Sequence, residues 1–137
     1  MNREDFQRVS EIRLRESRAL LAAGFPEGAY YLAGYAVECA LKACIAKRTR
    51  EHDFPDKKLV NDSHTHDIGK LVQLAELRLE LENAMQSNPT IKARFDTIQD
   101  WSETSRYEAK TLQEATDLLE AVGDPGGGLL PWIRMRW

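Results

Sequence analysis

Cysteine is scarce in this chain, two residues among 137, and the two lie five apart in one helix-patterned segment. At about 100° per residue they point roughly 140° away from each other, so Cys39 and Cys44 cannot bridge. A disulfide scaffold is excluded, and the thiols read as small buried hydrophobes of a reducing compartment. Long apolar runs are missing too: nothing approaches the ~18 residues of a membrane span. The opening MNREDFQRVSE is charged throughout and has no apolar core of a secretory signal, so the expectation is a cytoplasmic chain with no membrane partner. Basic excess is absent as well. A formal charge of −3 supplies no electrostatic reason for nonspecific nucleic-acid binding. No serine or cysteine stands in a nucleophile context, no glycine-rich loop follows a strand, and no strand alternation or internal repeat of convincing length occurs.

What is present is helical. With 42% hydrophobic and 30% charged residues the composition is globular, and residues 1–137 fit one domain that buries about two-thirds of its extended surface. The chain is organised around GAYYLAGYAVECALKACIAK, residues 28–47. Tyr30, Gly34, Val37, Leu41 and Cys44 form one apolar stripe and Ala29, Leu32, Ala36, Ala40 and Ala43 a second, so this helix is hidden on two sides. The expectation is one face inside its own subunit and one against a twin. Tyr31, Tyr35, Glu38 and Lys42 fall on the remaining strip, with the carboxylate and ammonium four apart and able to pair.

Before this helix, residues 3–23 place Phe6, Val9, Ile12, Leu20 and Leu21 on an amphipathic helix, with Glu4 to Arg8 and Glu11 to Arg15 as spaced pairs. Gly24 closes it and Pro26 opens the central helix, so the two are antiparallel. The central helix is expected to run to about Arg50, followed by a long mobile polar loop from Glu51 to His66. Thr65 or Asp67 caps a third helix bearing Ile68, Leu71, Val72 and Ala75, continuing past a break near Arg78 to Leu81 and Met85. Asn88 and Pro89 open a fourth with Ile91, Phe95, Ile98 and Trp101. Thr111 and Glu114 form a capping box for a fifth, which Gly123-Asp124-Pro125 stops. Gly126 to Gly128 read as a hinge, and the tail LLPWIRMRW folds back onto the bundle or a partner. The expected fold is all-α, an up-and-down bundle of four to five helices with a short C-terminal helical tail.

Two groups of polar residues stand out. Glu38 and Lys42 lie in the most apolar segment, where an unpaired charge is expensive. They are either a structural pair at the rim of the core or, with Tyr31 and Tyr35, the wall of a pocket for a nucleotide or a partner's arginine. Arg106 and Tyr107, in the aperiodic link after Trp101, either hold a phosphate and stack on a base, or anchor the link by pairing with Glu38 or capping a helix. His64 and His66 are two apart with no cysteine or second cluster nearby, so the expectation is no metal; His66-Asp67 reads as a helix start. No cofactor and no catalytic residue is expected.

Several of these features coincide in LLAAGFPEGAYYLAGYAVECALKA, His66-Asp67-Ile68 before a helix, Trp101 with Ser105-Arg106-Tyr107, and the closing DPGGGLLPWIRMRW. Together they resemble the HEPN family of small bacterial and archaeal helical domains, which also occur fused at the end of sacsin. The resemblance implies a bundle that dimerises through its long central helices, often beside a minimal nucleotidyltransferase with which it forms a toxin–antitoxin or nucleotide-binding pair. Many members are metal-independent ribonucleases carrying Arg, four to six residues, then His. This chain departs from that pattern: no arginine lies at that distance upstream of His52, His64 or His66, and no histidine follows Arg106-Tyr107. The expected function is a noncatalytic module, a homodimer that binds a nucleotide or a nucleotidyltransferase, with Glu38, Arg106 and Tyr107 as the polar site and Tyr31, Tyr35 and Lys42 as its wall. The alternatives are a ribonuclease toxin that uses Arg106 on RNA with a nonstandard acid, and a scaffold that receives only protein.

Overall fold

The computed structural model describes residues 1–49, 53–54 and 56–137. Arg50, Glu51, His52 and Pro55, the end of the expected central helix and the start of the expected loop, lie outside the described residues. Among those described there are eight α-helices, one 3₁₀ helix and no strand. The all-α class is therefore as expected, but the helices outnumber the four to five that periodicity predicts.

The first, α1, runs Arg3–Ala22, and its Asn2 cap and Asp5 bond reciprocally in a capping box. Gly24 takes a left-handed φ of +84°, and Gly24 N and Phe25 N then reach back to the carbonyls of Leu21 and Leu20 at 3.1 and 2.9 Å. That turn sets α2, Pro26–Lys47, antiparallel against α1. The seam between them consists of Ser10, Leu14 and Ser17, all buried, with the two hydroxyls donating to Ala36 O at 2.7 Å and Ala29 O at 2.6 Å. Small residues on α2 permit that approach. The pairs expected along α1 do not form: Arg8 meets Asp5, and Glu11 meets Arg134 near the chain's end.

Both apolar stripes of α2 are covered within one protomer, since Ala33, Ala36, Ala40 and Ala43 are as fully buried as Val37 and Leu41. The expectation of one face left for a twin is thus corrected. Contacts from α1, α4, α7, α8 and the 3₁₀ helix occupy the space.

Part of the expected loop is helical. Asp56 accepts from Lys58 N and Leu59 N and starts α3, Lys57–Asp62. The predicted third helix is two, α4 at Ile68–Leu74 and α5 at Arg78–Ser87. Between them Glu76 adopts φ 60°, a left-handed conformation that costs a non-glycine residue about 1 kcal/mol. It is held by an ion pair to Arg48 at 2.8 Å and by Leu77 N bonding Val72 O at 3.1 Å. Asn88 and Pro89 open α6, Pro89–Gln99, as expected, and the Thr111 to Glu114 box opens α7, Leu112–Gly123. Gly126 to Gly128 do not read as a hinge here. A side chain on Gly128 would strike backbone atoms of Val122 and Asp124 at 2.6 to 2.8 Å, and Gly128 N bonds Asp124 O at 2.7 Å. This packed turn delivers α8, Leu129–Arg134, whose Leu129, Leu130 and Ile133 enter the core.

Candidate functional site

Glu38 sits one turn before Lys42 on α2, and the core around it leaves its side chain 2% exposed. Lys42 Nζ donates to Glu38 Oε1 at 2.9 Å. The residue just ahead of the α4 cap, His66, brings Nδ1 to the same oxygen at 2.8 Å. Asp67 accepts from Lys70 N and Thr65 Oγ1 from Asp67 N, which fixes the segment that carries the imidazole. A carboxylate only accepts, so Nδ1 carries the proton of this bond and Nε2 is left open to a further partner. Glu38 Oε2 is buried and has no protein partner among the described residues.

Next to this cluster lies a row of aromatic rings. Tyr31 and Tyr35, one turn apart, are 6.1 Å between centroids and 11° from parallel. Tyr31 also lies 6.2 Å from Trp101. Trp101 follows the end of α6 and is 3% exposed. Its indole lies against Gly34, at a point of α2 where any side chain would overlap it. Cys39 packs behind the row, and burial first, then the charge of Glu38, pushes its thiol up to about 11. Burial, then the neighbouring Cys39 and Glu38, likewise raises the Tyr35 hydroxyl above its ordinary value. Cys44 is also raised to about 11 by burial. Both cysteines are unpaired and buried.

The structure therefore brings Glu38, Lys42, Tyr31 and Tyr35 onto one strip, but not all of the predicted site. Arg106 and Tyr107 stand on the exposed side of the 3₁₀ helix, Glu103–Tyr107. Arg106 packs 4.9 Å over the Tyr107 ring, Tyr107 is 78% exposed, and no hydrogen bond or ion pair joins either to Glu38 among the described residues. The anchor in which Arg106 pairs with Glu38 is thus replaced by Lys42 and His66. Sequence reasoning treated His66 as a helix start and missed it as a partner of Glu38. The available signal was the buried acid itself, which needs more donors than one lysine supplies.

Beside His66 opens a polar cleft of about 510 Å³, lined by His66, Asp67, Gln99, Asp100, Trp101 and Glu103 among others. No group of three or more His, Cys, Asp or Glu that could hold a metal ion occurs among the described residues, nor is any described helix long and apolar enough to cross a membrane.

The Glu38 cluster yields a direct test. Lys42→Met should destabilise the fold by about 3 kcal/mol, because it leaves a buried carboxylate with no cation on its own helix and only the His66 N–H for a partner. Replacing both charges, Glu38→Leu with Lys42→Met, should recover most of that loss in urea titrations. A single variant as stable as the parent would show the pair to be energetically idle.

No curated protein and no solved structure matches this chain. The family model of the HEPN domain, by contrast, matches residues 4–124. That span takes in α1 through α7, the Glu38 cluster, the aromatic row and the cleft, and the chain belongs to the HEPN domain family.

Proposed function

We propose that this protein is a noncatalytic HEPN module, one half of a toxin–antitoxin pair, that binds a nucleotide, a minimal nucleotidyltransferase partner, or both, and works as a homodimer. The supporting observation is the row of half-open tyrosine rings on α2 beside a buried Glu38, with Lys42 within the same strip and the cation of Arg106 free of any ion pair among the described residues. Rings of this kind stack on a base, and a carboxylate accepts from base amino groups. Arginine holds phosphate through paired N–H donors. Family membership supports a nucleotide- or RNA-related role. It also supports the dimer, which the burial of α2 within one protomer no longer argues for.

The absence of the Arg-x4–6-His pattern favours binding over cleavage. A second reading has its own observation. His66, oriented by Glu38 through Nδ1 and open at Nε2, is placed as carboxylate–histidine pairs are placed for proton transfer. In that reading the chain is a ribonuclease with His66 as the nonstandard acid or base.

Incubating the purified protein with RNA, and separately titrating it with ATP, distinguishes them. Intact RNA with saturable ATP binding that weakens about tenfold in both Tyr31→Ala and Arg106→Ala is the expected result. RNA cleavage lost in His66→Ala and Arg106→Ala would replace the module by the enzyme. Neither cleavage nor nucleotide binding would leave a protein-binding scaffold. Sedimentation at the mass of one protomer at high concentration would remove the homodimer.

A further inference from the structure

We infer that the pocket enclosed by the start of α1, the last turns of α2 and α3 is a site for a free medium-chain carboxylic acid, with the alkyl chain against the apolar walls and the carboxylate at Lys42 and His64. This goes beyond the nucleotide reading and uses a different stretch of α2: the pocket takes residues on the C-terminal side of Lys42, and the tyrosine rings lie on its N-terminal side.

Three helices supply the walls: Phe6 from α1, Ile45 and Ala46 from the end of α2, Leu59 and Val60 from α3. Helix α3 buries none of its six residues, and Val60 is 47% exposed, so α3 borders the pocket without filling it. The volume is about 220 Å³. A cavity of about 150 Å³ takes a benzene ring, so this one suits a chain of about eight carbons. It falls below the roughly 300 Å³ at which sites for drug-sized ligands begin, which leaves no room for a nucleotide or a two-chain lipid.

The head group follows from the polar part of the lining. Lys42 and His64 are its ionisable side chains, and no carboxylate lines the pocket among the described residues. Lys42 is 17% exposed, spends one N–H on Glu38 at 2.9 Å and keeps two more. The His64 ring has no hydrogen bond or ion pair among the described residues. Spare donors and a cation beside an apolar pocket call for an acceptor of negative charge, which a carboxylate supplies. An alkylammonium ion would be repelled, and a plain hydrocarbon would leave the donors unused. Glu38 does not withdraw the ammonium from this role. His66 Nδ1 donates to the same Oε1 at 2.8 Å, so the buried acid stays bonded while Lys42 bridges it to the ligand.

The test uses the full chain labelled with ¹⁵N, with sodium octanoate, sodium butanoate and octylammonium chloride as probes at one ionic strength. Octanoate should shift the amide signals of Ala46, Val60 and Ser63 saturably. Each methylene removed weakens burial by up to about fourfold, so butanoate should bind at least about tenfold more weakly. Octylammonium, with the same chain and the opposite charge, should also lose about tenfold. Ala46→Leu, which keeps a good helix former and fills the space, should abolish the octanoate shifts. Val60→Asp, at an exposed position, should weaken them about tenfold and serves if the first variant does not fold. Absence of saturable shifts, octylammonium binding as tightly as octanoate, or shifts unchanged in folded Ala46→Leu or Val60→Asp would overturn the site. So would ATP moving the Ala46 and Val60 signals and displacing octanoate, since that would make the pocket part of the nucleotide site. ATP shifts confined to Tyr31, Tyr35 and Arg106 would leave both sites standing, and an octanoate response without any ATP response would remove the nucleotide reading and keep this one.

Discussion

Ending the chain after Asp124 should abolish cooperative folding at 25 °C, although the family match ends at that same residue. The reason is that α8 contributes to the core and does not decorate it. Leu129, Leu130 and Ile133 are between 0% and 3% exposed, and each such side chain cut to alanine costs about 2–5 kcal/mol. Losing three at once is comparable with the whole stability of a small domain, about 5–15 kcal/mol. The polar contacts point the same way. Arg134 grips Glu11 through two bonds of 2.6 and 2.8 Å, Arg136 meets Glu80 at 2.7 Å, and Arg3 donates to Trp137 O at 2.5 Å. A graded version uses Leu130→Ala in the full chain, expected to cost about 3 kcal/mol. Urea unfolding followed by circular dichroism reads both. A truncated protein that unfolds cooperatively at the parent's midpoint would show the tail to be dispensable.

Gly34→Ala is the second large effect, and it runs against intrinsic preference. In an exposed helix that change would stabilise by about 1 kcal/mol. Here the new methyl overlaps the Trp101 indole, a buried and inflexible neighbour rather than the free end of a long chain. Either the ring lifts from α2, breaking its contact with Tyr31, or the helix moves. Overpacking of this kind costs about 1–3 kcal/mol, and a net loss of about 2 kcal/mol is expected with a change in near-ultraviolet dichroism. Restoring space with Gly34→Ala/Trp101→Leu should return part of it. A stability gain in the single variant would mean that the indole is not held against α2 as described.

The long helices were legible because their signals are local and redundant: Pro26 and Gly24 at one junction, Asn88 and Pro89 at another, the Thr111 box at a third. The short ones were not. Asp56 is a good cap, but six residues whose only half-buried apolar side chain is Leu59 carry too little period to stand out from a polar loop. The split between α4 and α5 depends on Glu76 taking a left-handed φ, which sequence gives no reason to expect of a glutamate; its partner Arg48 lies on a distant element. At the site, spacing along one helix was enough to pair Glu38 with Lys42. The other ligand of Glu38 comes from 28 residues away, a proximity that only the chain's path around α4 creates. The anchoring alternative for Arg106, a pair with Glu38, fails for the complementary reason, since a neighbouring aromatic says nothing about which way a short 3₁₀ helix faces.

The two serine hydroxyls of α1 also limit what motion can carry a message. Ser10 and Ser17 are seven residues apart and grip carbonyls seven residues apart on α2. A piston-like slip by one helical turn would strip both pegs from their oxygens inside a dry seam, at a cost of about 1–3 kcal/mol each. Helices α1 and α2 therefore behave as one rigid beam. Any response to an occupant near Glu38 has to travel through the chain that leans on the beam, by way of the imidazole before α4 and the indole after α6.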